Sequence, residues 1–331
     1  LTILRILHIS QGGLPDLRIE KNALTMKKEG HELVFLGSTK VKYQNLQAFD
    51  RVNHQPIKND LDLALNPIVK RRWRERIDKI NPDIVHAHNA PVAQFLLGSD
   101  YPVIYDDHEY WSKQTFKFKE RKMPRGIASR PIVHLIPKWE RALVQRYPTL
   151  TTTFNTANEH RRIGRWVKVT RNVPLLQQIK DLPVVERSND LVYLGCDYNR
   201  PKFHAHRNMK GLRKVIDFQI VCGLTHRTMM EKLTEFKIGL TPWLLHPWHK
   251  YSDANRNYEY LHAGLQVVVN REIKPLFKEN PYVHPFNNYK NIREIIDSIP
   301  EEDTTRIMKY AQDTYLWENQ ERIIREAYKI A

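Results

Sequence analysis

The sequence predicts an α/β protein of two domains, each built on a parallel sheet, and three observations lead there. The opening 37 residues read as strand, helix, strand: an apolar run over 2–9, an amphipathic stretch over 17–29 closed by Gly30, and the run HELVFLG. Such a βαβ unit needs a right-handed crossover and therefore parallel strands. A length of 331 residues suits two domains, each large enough for its own core. Finally, SDANRNYEYLHAGLQVVV over 252–269 reads as a polar loop, a helix over 256–263, a turn at Gly264 and a buried strand over 266–269. Ser252, Asp253 and Asn255 are candidate caps, Gly264 suits a left-handed helix end, and the β-branched run favours a strand. In an open α/β sheet such a loop lies near the strand ends, where ligands meet helix N-termini.

Composition narrows the class. Hydrophobic content of 41% with 10% aromatics is that of a globular chain, not a disordered one. No apolar run approaches the roughly 20 residues that span a bilayer, and the first residues read as a strand, not a signal peptide. Cys196 and Cys222 are too few for a disulfide scaffold or a zinc site, and each sits in an apolar run, so both are expected as small core residues in a reducing compartment. With 53 basic against 37 acidic residues the net charge is +16, which predicts an anionic partner: nucleic acid, anionic lipid or a phosphorylated substrate.

Along the first half, Gly12 and Gly13 follow the first strand, either as a close backbone approach to a ligand or as a plain tight turn; no GxGxxG or Walker A pattern is present. Residues 42–65 lose periodicity and read as loop with short strands. The helical pattern over 67–80 carries Lys70, Arg71, Arg72, Arg74 and Arg76, broken by Trp73 and Ile77. It reads as a solvated face or as a surface for a membrane or polyanion. NPDIVHAHN is a strand whose His86 and His88 point to one side; with no third ligand near in sequence, they are expected to line a cleft and not to hold a metal. PVIYDDHEYW ends a buried run in Asp106, Asp107, His108 and Glu109, at the strand edge where such folds place their chemistry. The adjacent aspartates diverge to opposite faces, which argues against a metal motif. Residues 111–146 carry ten lysines and arginines against two glutamates, interleaved with Trp111, Phe116, Phe118, Met123, Ile132, Leu135, Ile136 and Trp139. Docking at an anionic membrane and a loop followed by an inward-packing helix both fit. TLTTTFNT reads as the last strand of the first domain, 1–174.

The second half opens, after a polar linker over 175–188, with the strand DLVYLGCD. Asn199, Arg200, Lys202, Arg207 and Lys210 follow it. Further strands are expected at DFQIVCG, KIGLTPW, QVVV and PYVHPF, with helices over 225–235 and near 290–298 and a long final helix over about 303–330. The expected second domain spans 189–312, and 313–331 is expected to cross back to the first. Trp243, Trp248, His246, His249 and His262 are expected to line a ligand cleft and not to hold a metal. Glu259, in the first turn of its helix, and Arg256 one turn before it face one neighbourhood. They form either a surface ion pair or a pair suited to a nucleotide, the carboxylate accepting ribose hydroxyls and the guanidinium clamping a diphosphate.

NRNYEYLHAGLQVVV resembles the nucleotide-sugar signature of GT-B glycosyltransferases, especially family 4, with its Asn-Arg, Glu, small residue, Gly and strand. The Asp-Asp-His strand end, Asn172-Val173-Pro174 and the closing WENQERIIREAYKI extend the resemblance over nearly the whole chain. It implies two Rossmann-like, doubly wound domains facing across a cleft. It also implies transfer of a sugar from a nucleoside-diphosphate sugar to a glycan, glycolipid or protein-linked acceptor, with retention of anomeric configuration and no metal or other cofactor. Carried over, Glu259 binds the donor ribose, with Tyr258 beside it; Arg256, Arg200 and Lys202 meet the diphosphate. Gly12 and Gly13 approach the phosphates, and Trp243 flanks the base. His108 contacts sugar or acceptor, with Asp107 and Glu109 as further candidates for the acceptor proton. Tyr251 stands where many relatives carry a second Glu. A cytoplasmic protein is expected, touching an anionic membrane face through 111–146. A sugar-nucleotide epimerase on the same fold is the alternative; nucleic-acid binding is disfavoured because no readout motif is present.

Overall fold

In a computed structural model of the chain the described residues are 2–57, 66–114, 130–195 and 209–331. They form two compact units, Leu1–Thr170 with Gln320–Ala331, and Arg171–Asn319.

The first unit holds strands β1 (Arg5–Ser10), β2 (Glu32–Gly37), β3 (Arg51–His54), β4 (Ile84–His88), β5 (Val103–Asp107), β6 (Thr149–Thr151) and β7 (Val167–Val169) in one sheet ordered β3-β2-β1-β4-β5-β6-β7. Every pairing is parallel. Strand order reverses between β1 and β4, and the carboxyl ends of strands at such a switch are where this architecture leaves a crevice. TLTTTFNT is therefore not the last strand: β6 stops at Thr151, and VKV adds β7 beside it.

Helix α1 (Leu17–Lys27) starts at Asp16, whose carboxylate accepts from the amides of Arg18 and Ile19. Helix α2 (Pro67–Ile80) is started by Asn66 with Pro67 in its first turn and ended by Asn81 at φ 52°. Its Trp73, Ile77 and Ile80 recur at helical spacing and are buried. Arg71 on the other side is 73% exposed, so the basic residues ride on an ordinary amphipathic helix. In helix α3 (Arg130–Arg146), Ile132 and Ile136 are buried, with Trp111, Val133 and Trp139 packed against them. The described part of the basic apolar segment thus turns its stripe inward; Phe116, Phe118 and Met123 lie outside the described residues. Helix α4 (Phe154–His160) follows β6 and is capped by the Thr153 hydroxyl.

The second unit holds β8 (Asn189–Leu194), β9 (Gln219–Val221), β10 (Phe236–Thr241), β11 (Gln266–Asn270) and β12 (Val283–Phe286), ordered β12-β11-β10-β8-β9 and again parallel throughout. Its switch point lies between β8 and β10. Helices α5 (His226–Leu233), α6 (Asn255–His262), α7 (Ile292–Asp297) and α8 (Thr304–Thr314) belong to this unit. Cys222, just past β9, is exposed and not a core residue; Cys196 lies outside the described residues. The final helix is two helices: α8 ends before Tyr315, and α9 (Glu321–Ile330) belongs to the first unit. On α9, Ile324, Ala327 and Tyr328 share a buried stripe, while Glu321 meets Lys28 at 2.5 Å and Glu326 accepts from the Trp166 indole at 3.2 Å.

Candidate functional site

Parallel register gathers a cluster in the first unit. His8 on β1 pairs with His86 on β4, and His88 pairs with Asp106 on β5. Because side chains alternate, His86 and His88 share a face, and in-register neighbours share it too. The outcome is a fully buried group of His8, His86, His88 and Asp106. His86 and His88 therefore do not line a cleft; their rings stack 4.5 Å apart in the interior. His108, two residues beyond Asp106, returns to the same side with its side chain 10% exposed, and its Nε2 lies 3.0 Å from Asp106 Oδ2. Its backbone is held from two sides: Asn89 Oδ1 accepts from the His108 amide at 3.1 Å, and the Thr152 hydroxyl donates to its carbonyl.

Arg18 completes this cluster. Its guanidinium donates to Asp106 Oδ1 at 2.6 Å and to the Thr170 carbonyl at 2.7 Å, and Asn22 donates to Asp106 Oδ2 at 3.0 Å. Asp16 thus starts helix α1, while Arg18, two residues on, neutralises a buried carboxylate. Burial pushes the Asp106 carboxyl up, but Arg18 and His108 outweigh it and hold the group well below the usual carboxylate range. Burial pushes His8, His86 and His88 down, so these rings are neutral at pH 7.

Asp107 faces the other way, as expected, and this removes it from the candidates for the acceptor proton. It is fully buried, accepts from the Tyr110 amide at 2.9 Å and lies 2.8 Å from His160 Nε2. Glu140, beside it, is pushed well above its usual range by burial and by Asp107. Glu109 is exposed and accepts from Gln114 Nε2 at 2.6 Å. Gly12 and Gly13 serve their own unit: the Gly12 carbonyl accepts from the Ser38 amide, and a Cβ on Gly13 would fall 2.2 Å from Thr39 Oγ1.

Among the described residues, two histidine groups have the spacing to hold a metal ion, His8 with His86 and His88, and His88 with Asp106 and His108. In the second, the Arg18 Nε already stands 3.2 Å from Asp106 Oδ2. A divalent ion on that oxygen would sit beside a fixed cation, so the donor set does not favour one.

In the second unit, helix α6 begins at Asn255 without a side-chain cap. Asp253 instead accepts from the Asn172 amide at 2.8 Å, the Arg171 guanidinium at 3.4 Å and the Tyr258 hydroxyl. Tyr258 is thereby buried and turned inward, not toward a ligand. Glu259 lies in the second turn, 8% exposed, with Oε1 3.4 Å from His226 Nε2 at the start of α5. Arg256 does not pair with it at contact distance; its guanidinium stacks over Tyr193 at 4.8 Å and Trp243 at 5.5 Å, which puts it at the β8/β10 switch. Its Nη1 is buried with no hydrogen-bond partner among the described residues. Trp243 is 2% exposed and packs between Arg256 and His249, so it offers a ligand little surface. His249 meets Asn270 at 2.8 Å and His262 meets the Tyr315 carbonyl at 2.8 Å; both are fully buried, so neither lines a cleft. Tyr260 ties β8 to β10, accepting from the Leu194 amide and donating to the Leu240 carbonyl. Arg200, Lys202 and Arg207 lie outside the described residues.

Several solved structures superpose over the length of this chain. Sucrose-phosphate synthase from Thermosynechococcus elongatus matches with TM-score 0.69 at 12% identity, covering 98% of each chain. Anabaena HepE in complex with UDP and glucose matches with TM-score 0.68 at 11% identity, covering 99% of this chain and 100% of its own. The chain has the GT-B fold. A UDP-GlcNAc 2-epimerase from Neisseria meningitidis shares this GT-B arrangement, with TM-score 0.56 at 13% identity over 99% of this chain and 100% of its own. At such identities the likeness carries the fold alone. The family model described as Glycosyltransferase Family 4 matches residues 21–170 of the GT-B chain, and the resemblance read from the sequence holds. None of the curated proteins matches the sequence. Missed in the sequence were His8, Arg18 as a partner of Asp106, and Tyr328. In the sequence His8 stands as a polar residue between apolar neighbours of the first strand, Arg18 as part of Asp-x-Arg at a helix start, and Tyr328 within the closing helix; none of these patterns names its partner.

Proposed function

We propose that this GT-B chain is a glycosyltransferase that moves a sugar from a nucleoside-diphosphate sugar to a glycan, glycolipid or protein-linked acceptor, with retention of configuration and without a metal. The observation that carries the donor half is Arg256, a guanidinium at the β8/β10 switch with a buried Nη1 that lacks a partner among the described residues. A buried donor left unpaired costs about 1–3 kcal/mol, and a diphosphate oxygen would satisfy it. Glu259, one turn along the same helix and largely buried, suits the ribose hydroxyls. Arg200 and Lys202 belong to the same proposal as further diphosphate contacts.

In the reaction the C1–O bond to the diphosphate breaks, C1 bonds to the acceptor oxygen on the same face, and the acceptor hydroxyl proton passes to a base. His108 is the candidate base, backed by a buried carboxylate. Fixed cations offset the charge that builds on the leaving diphosphate, which is the work a metal does elsewhere. The +16 charge supports an anionic partner, and peripheral contact of 111–146 with an anionic membrane belongs to the proposal; co-sedimentation with anionic but not neutral vesicles tests it. A sugar-nucleotide epimerase is the second reading, favoured by the epimerases among the similar structures.

Incubation with a panel of nucleotide sugars decides. A thermal shift with one donor, followed by free nucleoside diphosphate and an acceptor-linked sugar, supports transfer; an epimerised nucleotide sugar without an acceptor product supports the second reading. No shift with any donor sinks both.

A further inference from the structure

Five hydrogen-bonding contacts and one longer electrostatic approach join Asp106, His108, His88, His8, Tyr328 and His86 in a circuit within the first unit. From Asp106 Oδ2 the ring runs to His108 Nε2 at 3.0 Å, and His108 Nε2 meets His88 Nδ1 at 2.9 Å. His88 Nε2 meets His8 Nδ1 at 2.9 Å, and His8 Nε2 meets the Tyr328 hydroxyl at 3.3 Å. The Tyr328 hydroxyl meets His86 Nδ1 at 2.6 Å, and His86 Nε2, which makes no hydrogen bond among the described residues, stands 3.5 Å from Asp106 Oδ2, so the last link is electrostatic.

Such a ring has two directions, and the carboxylate chooses between them. In the first, each imidazole carries its proton on Nε2, so His108 and His86 both turn an N–H toward Asp106. His88 Nδ1, 3.4 Å from the same oxygen, then turns a lone pair to it while accepting from His108. In the reverse direction each proton sits on Nδ1, and lone pairs face the carboxylate at 3.0 and 3.5 Å against one N–H at 3.4 Å. Two N–H groups, one of them at the closest approach, outweigh one. In the first direction each imidazole is neutral with one proton, and the Tyr328 hydroxyl accepts from His8 Nε2 and donates to His86 Nδ1.

We propose that this ring fixes His108 in the Nε2–H tautomer, so that Nδ1, which takes no part in the ring, presents its lone pair to a hydroxyl of the bound sugar or acceptor. Tyr328, on the terminal helix α9, is a positioning residue: it relays the direction from His8 to His86 without touching a ligand. The tautomer follows from the ring alone; only the role of Nδ1 rests on the transferase reading. Should a proton reach Nδ1, the imidazolium would lie against Asp106, which the ring has already aimed at it.

Nitrogen-15 NMR of the wild-type protein with labelled histidine, at pH 7.5 and without ligand, reads the tautomers directly. The expected spectrum shows His8, His86, His88 and His108 each with a pyrrole-type Nε2 and a pyridine-type Nδ1. A pyrrole-type Nδ1 on His108 overturns the proposal, as does one equivalent of tightly bound zinc that abolishes the Nε2–H signals of His108. In Tyr328→Phe, which removes one oxygen, His108 is expected to show a mixed tautomer, with kcat lowered about five-fold, the scale of one hydrogen bond, and the donor KM unchanged. A folded Tyr328→Phe protein with the wild-type tautomer overturns the role of Tyr328. If no sugar transfer is found at all, the functional reading fails, while the resting spectrum still decides the tautomer.

Discussion

Arg256 and Glu259 stand three positions apart on α6 and have different environments, and each makes a separable prediction. Glu259→Ala removes a carboxylate suited to ribose hydroxyls and is expected to weaken donor binding about tenfold or more, the scale of hydrogen bonds to a charged group, measured by isothermal titration with the donor found in the screen. Arg256→Ala is expected to weaken binding of the nucleoside diphosphate while leaving binding of the bare nucleoside near wild type, since only the former carries the charge the guanidinium would meet. His108→Ala is expected to lower kcat by about 10²-fold or more, the usual span for a lost acid or base, with donor affinity retained. Wild-type turnover in both Glu259→Ala and His108→Ala would remove these residues from the site. At this scale the sequence showed His108, Arg256 and Glu259 as chemistry-bearing, because each stands at a strand end or helix start. It gave no hint that Tyr258 and Trp243 turn inward, since an aromatic beside a motif reads the same whether it faces ligand or core.

Among the elements, β10 carries the tightest steric test. A Cβ at Gly239 would fall 2.2 Å from the Tyr260 ring, and that ring's hydroxyl links β8 and β10 at the second unit's switch point. Gly239→Ala is expected to cost about 1–3 kcal/mol through overpacking, read as a lower denaturant midpoint with an unchanged slope. It is also expected to weaken donor binding, because Tyr193 and Arg256 stand at the same sheet edge. An unchanged midpoint would show that Tyr260 has room to move. Strands and amphipathic helices such as β4, β5 and α2 were legible because their hydrophobic periods are local. The break between α8 and α9 was not, since both flanking stretches share a helical period and only their membership of different units separates them.

Across the whole molecule, buried titratable groups make stability depend on pH in a definite direction. His262 is pushed down from 6.5 to about 4, first by burial, and the neutral ring meets the Tyr315 carbonyl. Its folded value lies below its unfolded one, so the unfolded chain binds the extra proton: this contribution is complete above about pH 6.5 and is lost as pH falls toward 4. Integrated over that window it amounts to about 3 kcal/mol. The depressed carboxyl of Asp106 and the depressed rings of His8, His86 and His88 act in the same direction, whereas the raised Glu140 acts in the opposite one. The clean measurement is therefore a difference: between pH 7 and pH 5 the Tm of wild type is expected to fall more than that of His262→Gln. Equal losses would show that His262 does not titrate in this window.

Two parallel-sheet layers, most of their strands and the strand ends where chemistry gathers are readable from local pattern, because periodicity, turn glycines and β-branching act over a few residues. That His8, His86, His88, Asp106, His108 and Tyr328 meet in one ring of contacts emerges from the folded chain and from nothing local. That ring depends on the register of three strands and on a helix more than 200 residues away in sequence from any of the others. Register and long-range packing are set by the core as a whole, and no local pattern encodes which buried polar group will find which partner.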